Sequence, residues 1–198
     1  MTGDKMTIQK IAKKICTPAR VQDFLRSFSY NREKKGETLR SAREALKKKT
    51  AHCLEATFIA AAILEVHGYP PLVVSFSSQD GLDHVIYVFR HRKKWGSVAR
   101  SRDEGLHGRQ PIFRSLRDLV WSYYDPYIDG SGKIIGYQIA NLDDTETDWR
   151  NSKKFVWKAE KYLIDLKHKP LRSSLTRYKR VLAAYKKNGP MKPKSFWW

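Results

Sequence analysis

The chain has 198 residues, 39 Lys and Arg against 20 Asp and Glu, and a formal charge of +19, a length that allows one sizeable core and excludes two ordinary domains. With 41% hydrophobic and 12% aromatic residues it carries enough apolar surface to exclude a disordered chain, and its charge implies attraction to polyanions such as nucleic acid, an anionic membrane surface or an acidic partner. No run reaches the roughly 18 apolar residues of a membrane span, and the opening MTGDKMTIQKIAKKIC has no signal-peptide core, so a cytoplasmic protein with Cys16 and Cys53 as free thiols is expected.

In chain order, residues 1–16 read as a loosely held basic arm. Thr17-Pro18 starts a short helix, with Thr17 as N-cap and Val21, Phe24, Leu25 and Phe28 at helical spacing. Glu37 to Lys48 gives a second amphipathic helix on Leu39, Ala42, Ala45 and Leu46. The segment CLEATFIAAAILEVHG is apolar nearly all round and ends in Gly68, as a central buried helix would. LVVSF and LDHVIYVFR read as strands, and the charged turn HRKK joins the second to WGSVA in a hairpin. Residues 102–111, polar and containing Gly105 and Gly108, read as a surface loop.

A helix follows from Ile112 to about Tyr124, closed by Asp125-Pro126. DGSGK is a turn, KIIGYQIANL a strand and DDTETD a connection. FVWKAEKYLIDL and Ser174 to Lys186 are helical, and KKNGPMKPKSFWW is a tail without regular structure.

A cysteine nucleophile acts as a thiolate and needs a lowered pKa and a base within hydrogen-bond reach. Cys53 opens the apolar helix, where the helix field favours negative charge and its own N–H points to where an oxyanion forms. His84 starts the second strand, which lets the chain leave the helix, run one strand and return.

The ordered set AHCLEATFIAAAILEVHGYPPLVV, DHVIYVF and WGSVA resembles the core of the transglutaminase-like superfamily over roughly residues 37–101, and PIFRSLRDLVWSYYDPYI resembles uncharacterised bacterial members. The resemblance implies an α+β, papain-like fold with the Cys helix on an antiparallel sheet. It also implies thiol-dependent acyl transfer on a peptide or protein amide: proteolysis, deamidation or transglutamination. Residues 17–166 would form that domain, and 167–198 a basic helix and tail. The superfamily's triad aspartate corresponds here to Ala99. With a two-residue hairpin turn, His84 faces Ala99 or Ser101. Ser101 is therefore expected to hold the imidazole by a neutral hydrogen bond, and Asp103 only if the strand extends or curls back. Cys53, His84 and Ser101 are the expected catalytic set.

Against this stand simpler readings: a buried, inert Cys53 and a core His84 satisfied by a backbone carbonyl. Asp83 reads as a turn residue, Glu55 as a first-turn carboxylate, and His91, His107 and His168 as solvated. His52, Cys53, His67 and His84 lack metal-site spacing, so neither metal nor cofactor is expected. From Lys167 onward Lys and Arg alternate with Tyr178, Tyr185, Phe196, Trp197 and Trp198. This pattern suits single-strand nucleic-acid binding by a noncatalytic module, or equally a basic helix whose aromatic end docks on its own domain.

Overall fold

The computed structural model describes residues 7–34, 36–81 and 83–198. Among them seven helices and a six-stranded antiparallel sheet form an α+β fold. The chain begins with α1 (Ile8–Ala12), α2 (Pro18–Arg26), β1 (Ser29–Tyr30), α3 (Ala42–Lys48), β2 (Thr50–Ala51) and α4 (Cys53–Leu64). It continues through β3 (Leu72–Ser78), β4 (His84–His91), β5 (Lys94–Val98), β6 (Arg109–Phe113), α5 (Leu116–Tyr127) and β7 (Ile134–Asn141), and ends with α6 (Trp157–Asp165), β8 (Lys169–Pro170) and α7 (Leu175–Asn188). The sheet order is β6-β5-β4-β3-β7-β8, with β1 and β2 pairing separately in parallel. No helix among the described residues is long and apolar enough to cross a membrane.

Helices cover both faces of this sheet. Val73, Val85, Tyr87, Phe89 and Val98 pack with α1 to α4 and α6, while Val74, Phe76, Ile86, Val88 and Ala99 pack with α5 and α7. Burial on both sides explains why β4 reads as an unbroken apolar run rather than an alternating one. Helix α4 lies enclosed between the sheet and α1 to α3, with Leu54 to Leu64 all buried. A short 3-10 turn carries it to Gly68, whose φ of +79° ends it in the left-handed region.

The start of α4 is fixed by charge. Glu55 has a fully buried side chain, and Arg40 reaches it at 2.7 Å from both Nε and Nη2. The same carboxylate accepts the His52 N–H at 3.2 Å and so closes a capping box with His52. Glu55 is thus the anchor of the helix entrance, a larger role than a surface carboxylate in the helix field. Arg40 does this from extended chain, because α3 begins only at Ala42 behind the N-cap Ser41.

Several expectations shift. The described part of the N-terminal arm is no loose strand: Ile8, Ile11 and Ala12 are buried against α4, and His67 Nε2 lies 3.0 Å from the Ala12 carbonyl. Residues 1–6 lie outside the described residues. The segment 102–111 is not a surface loop, since Gly105 to Arg109 are buried and β6 begins at Arg109. Helix α5 starts at Leu116 behind a Ser115–Asp118 capping box and carries Pro126 in its last turn instead of stopping before it. The C-terminal tail lacks regular structure but docks: Trp197 is buried, Phe196 accepts the Gln110 N–H at 3.0 Å, and Trp198 Nε1 donates to the Ser97 carbonyl at 2.8 Å.

Replacing Arg40 with Met leaves the Glu55 carboxylate buried without its cation, at a cost on the order of 3–5 kcal/mol. Thermal unfolding is expected to show a midpoint lower by roughly 10 °C for a chain of this size; an unchanged midpoint contradicts the anchoring role.

Candidate active site

The entrance of α4 and the start of β4 meet at one end of the sheet. Thr57 Oγ1 lies 2.9 Å from the Cys53 carbonyl and 3.2 Å from the Val85 carbonyl, which ties the first turn of the helix to the strand beside His84. His84 belongs to the strand face that packs with α5. Its ring stacks on Phe76 at 6.1 Å and lies 6.2 Å from the Tyr123 ring. Because it is the first residue of β4, its ring also reaches Cys53 around the end of the sheet.

Cys53 is half-buried and lines an open cavity of about 650 Å³ together with His84 and His52. Burial alone would raise a thiol's pKa. Hydrogen bonds with His52 and His84, and the positive charge these rings can carry, outweigh it and bring Cys53 down to about 5. The sulfur therefore stands as a thiolate at neutral pH, in the field of a helix N-terminus.

His52 is the partner that sequence reasoning did not select. It is the N-cap of α4: Nδ1 accepts the Leu54 N–H at 3.3 Å and Nε2 lies 3.0 Å from the Thr38 carbonyl. Burial opposes charge on this ring, but its hydrogen bond to Cys53 and the negative charge of Cys53 and Glu55 raise it to about 9. A protonated Nδ1 donates to the sulfur and no longer accepts the Leu54 N–H, so the cap and the bond to the thiolate exclude one another. Its position directly before a helix-opening cysteine was the available signal. Tyr30 is a second omission. It lines the cavity, and burial, then the charge on Cys53, keep its phenol protonated well above neutrality. No sequence signal marks it, because β1 has only two residues.

The third partner of the pair is a backbone atom. His84 Nε2 lies 3.3 Å from the Leu106 carbonyl, an acceptor that requires the Nε2–H tautomer and leaves Nδ1 for the sulfur. Ser101, expected in this role, is buried and lines the same cavity, but its hydroxyl accepts the Asp103 N–H at 3.4 Å and makes no bond to His84. The turn is the expected two-residue one, with His91 opposite Lys94 and Tyr87 opposite Val98. Continued, that register would set Ser101 against His84. The fully buried Gln22 of α2 interrupts it: its amide takes the Ala99 carbonyl and N–H, both at 2.9 Å, and the Gly108 N–H at 3.0 Å. Strand pairing ends there, and the chain turns so that Leu106 comes to lie over His84.

This path leaves no room at Gly108, where an added Cβ would sit 2.2 Å from Gln22 Oε1 and 2.4 Å from the Ser97 carbonyl. His107, expected in solvent, is buried, and burial with Arg100 alongside pushes it down to about 4. Its Nε2 lies 2.9 Å from Arg100 Nη1 and 3.1 Å from the Ser101 carbonyl. Asp83 is an exposed turn residue whose carboxylate accepts the Ser78 N–H at 2.9 Å. Among the described residues, no three His, Cys, Asp or Glu side chains gather as a metal site.

No protein family matches the chain, and no curated protein matches it.

The two cysteines supply an internal comparison, because Cys16 is exposed. Iodoacetamide labelling followed residue by residue is expected to rise through about pH 5 at Cys53, with Cys16 read in the same sample as the reference. His84→Ala is expected to move the Cys53 midpoint upward. Identical profiles for the two residues contradict the site.

Proposed function

We propose that the chain is a cysteine-dependent acyl-transfer or amide-hydrolysing enzyme of transglutaminase-like type, on a papain-like core formed by α4 and the antiparallel sheet. The observation that carries this reading is the Cys53 thiol at the entrance of a buried helix, lowered to about 5 and facing His84 in an open cavity. The Cys53 sulfur attacks the amide carbonyl carbon, and the carbonyl π-electrons pass to oxygen, where the Cys53 N–H of the first helical turn stabilises the oxyanion. His84, holding on Nδ1 the proton taken from the Cys53 thiol, gives it to the leaving amine as the oxyanion reforms the carbonyl and the C–N bond breaks, leaving a thioester on Cys53. Water or an amine then attacks the thioester and returns a proton to His84, and the thiolate departs.

Leu106 supplies the orienting half of what a triad carboxylate does. It selects the tautomer, whose loss in a serine protease lowers the rate by about four orders of magnitude. It brings no negative charge to the imidazolium, so a modest rate is expected.

The cavity lining supports a cationic substrate. Seven of its side chains are carboxylates, Glu33, Glu37 and Glu160 among them, and two are arginines, Arg32 and Arg102. In a chain of net charge +19 this is an inversion of local sign. It favours an amide that carries a lysine-like or arginine-like group beside the reacting carbonyl, and the half-exposed Trp157 offers the same groove an apolar lip.

A second property rests on the exposed face of α7 and the tail, where Lys179, Arg180, Lys186, Lys187, Lys192 and Lys194 remain in solvent. This surface suits a polyanion by charge alone, since Trp197 is buried and Tyr178 lies under Lys133 at 4.8 Å, so neither ring is free to stack on bases. Binding of an oligonucleotide is expected to weaken steeply with salt, and salt-independent binding contradicts it.

Enzymatic function is tested by trapping the acyl-enzyme by mass spectrometry with a panel of peptide amides and an activated aryl ester. A Cys53 adduct is expected, absent in Cys53→Ala and favouring cationic over anionic peptides by about tenfold, a preference that high salt reduces. A reactive Cys53 that accepts an acyl group from no member of the panel contradicts the enzyme reading.

A further inference from the structure

Arg109 is fully buried, yet among the described residues no carboxylate meets it. Its guanidinium instead lies between two aromatic faces, 4.1 Å from the Tyr123 ring and 4.1 Å from the Trp197 ring. Nη1 donates to the His107 carbonyl at 2.5 Å and to that of Gly108 at 3.3 Å, while Nη2 donates to the carbonyls of Gly105 at 2.7 Å and Ser122 at 3.3 Å. Nε donates to Ser122 Oγ at 3.2 Å. Burial lowers its pKa to about 10, so the cation persists at neutral pH. A buried charge without a counter-ion is costly and a leucine would fill such a space at less expense, so the arrangement calls for a specific use.

We propose that Arg109 is a positioning residue for the Cys53–His84 pair: by gathering the carbonyls on both sides of Leu106 it turns the Leu106 carbonyl toward His84, and Trp197 clamps it in place.

The geometry accounts for each part. The carbonyls of Gly105 and His107 converge on one guanidinium, whose planar fork fixes their directions. The Tyr123 hydroxyl adds a second donor to the His107 carbonyl at 3.0 Å. The Leu106 carbonyl between them is the one that faces His84, at 3.3 Å. The C-terminal stretch closes the arrangement from outside. Trp197 covers the guanidinium and bridges Arg109 through the backbone, and a Cβ at Gly105 would lie 3.0 Å from the Met191 carbonyl. The aromatic end of the chain thereby supports the site from the far side of the loop. An imidazolium whose Nε2–H has an aimed acceptor stabilises the Cys53 thiolate, and one whose acceptor wanders does so less well.

The inference rests on the proposed catalytic pair, and the test separates the two. The pH dependence of Cys53 alkylation needs no substrate and is measured on the full chain for wild type, Arg109→Lys, Trp197→Ala and Trp197→Phe. Val181→Ala, a buried change on α7, serves as a control for lost stability. Arg109→Lys and Trp197→Ala are expected to raise the Cys53 midpoint by about one pH unit, lowering the rate at pH 5 roughly fivefold. Trp197→Phe is expected to restore most of the shift, and Val181→Ala to lower the melting temperature with an unmoved midpoint. Trp197→Ala decides the matter if Arg109→Lys does not fold. A folded Arg109→Lys or Trp197→Ala protein with the wild-type midpoint overturns the positioning role alone, whereas an ordinary thiol midpoint in the wild type overturns the catalytic pair and this role with it.

Discussion

A helix that is apolar on every side is stable only when enclosed, and α4 imposes that condition on the rest of the chain. The sheet covers one side, and α1, α2 and α3 cover the others. The helix entrance is only half-buried, at the edge of the cavity, where its unpaired N–H groups still need acceptors. The Glu55 carboxylate, held by Arg40, accepts the N–H of His52, and this network sets Cys53 at the end of the sheet where β4 begins. The meeting of Cys53 and His84 is thus a consequence of packing a helix that has nowhere else to go.

The chemistry around the sulfur shows how a protein can orient an imidazole without a third side chain. A carbonyl held in place by its neighbours selects a tautomer as surely as a carboxylate does, but it stays neutral. His52 adds a second imidazole on the thiolate, which favours the charged sulfur without supplying the missing carboxylate. Charge is partitioned on a larger scale too, with an acidic groove set into a basic protein. Polyanions and cationic substrates would then be drawn to different parts of one molecule.

Much of this was legible in the sequence, where local pattern and global packing agree. The apolar run from Cys53 to Leu64 and the strands around His84 follow from their residue pattern, and a two-residue turn left two hairpin registers open, of which the one pairing Tyr87 with Val98 is observed. The role assigned to Ser101 failed for a reason no strand pattern contains: Gln22, remote in the chain, offers its amide as a substitute strand and ends the pairing at Val98. The segment Gly105 to Arg109 looked like a surface loop because glycine and polar residues dominate it. Its burial depends on Arg109 satisfying several carbonyls at once and on close approaches that only Gly108 permits. The docking of Trp197 and Trp198 was open between a partner's surface and the chain's own, because composition does not say which one an aromatic residue will meet.

The central claim is that the Leu106 carbonyl holds His84 in the tautomer that presents Nδ1 to Cys53. Nitrogen-15 NMR of the histidine rings at neutral pH measures this directly. The account requires a His84 Nε2–H signal shifted as a donor to a carbonyl, and an Nδ1 signal that changes when Cys53 is alkylated. A His84 ring protonated on Nδ1 alone, or one indifferent to modification of the sulfur, would contradict it.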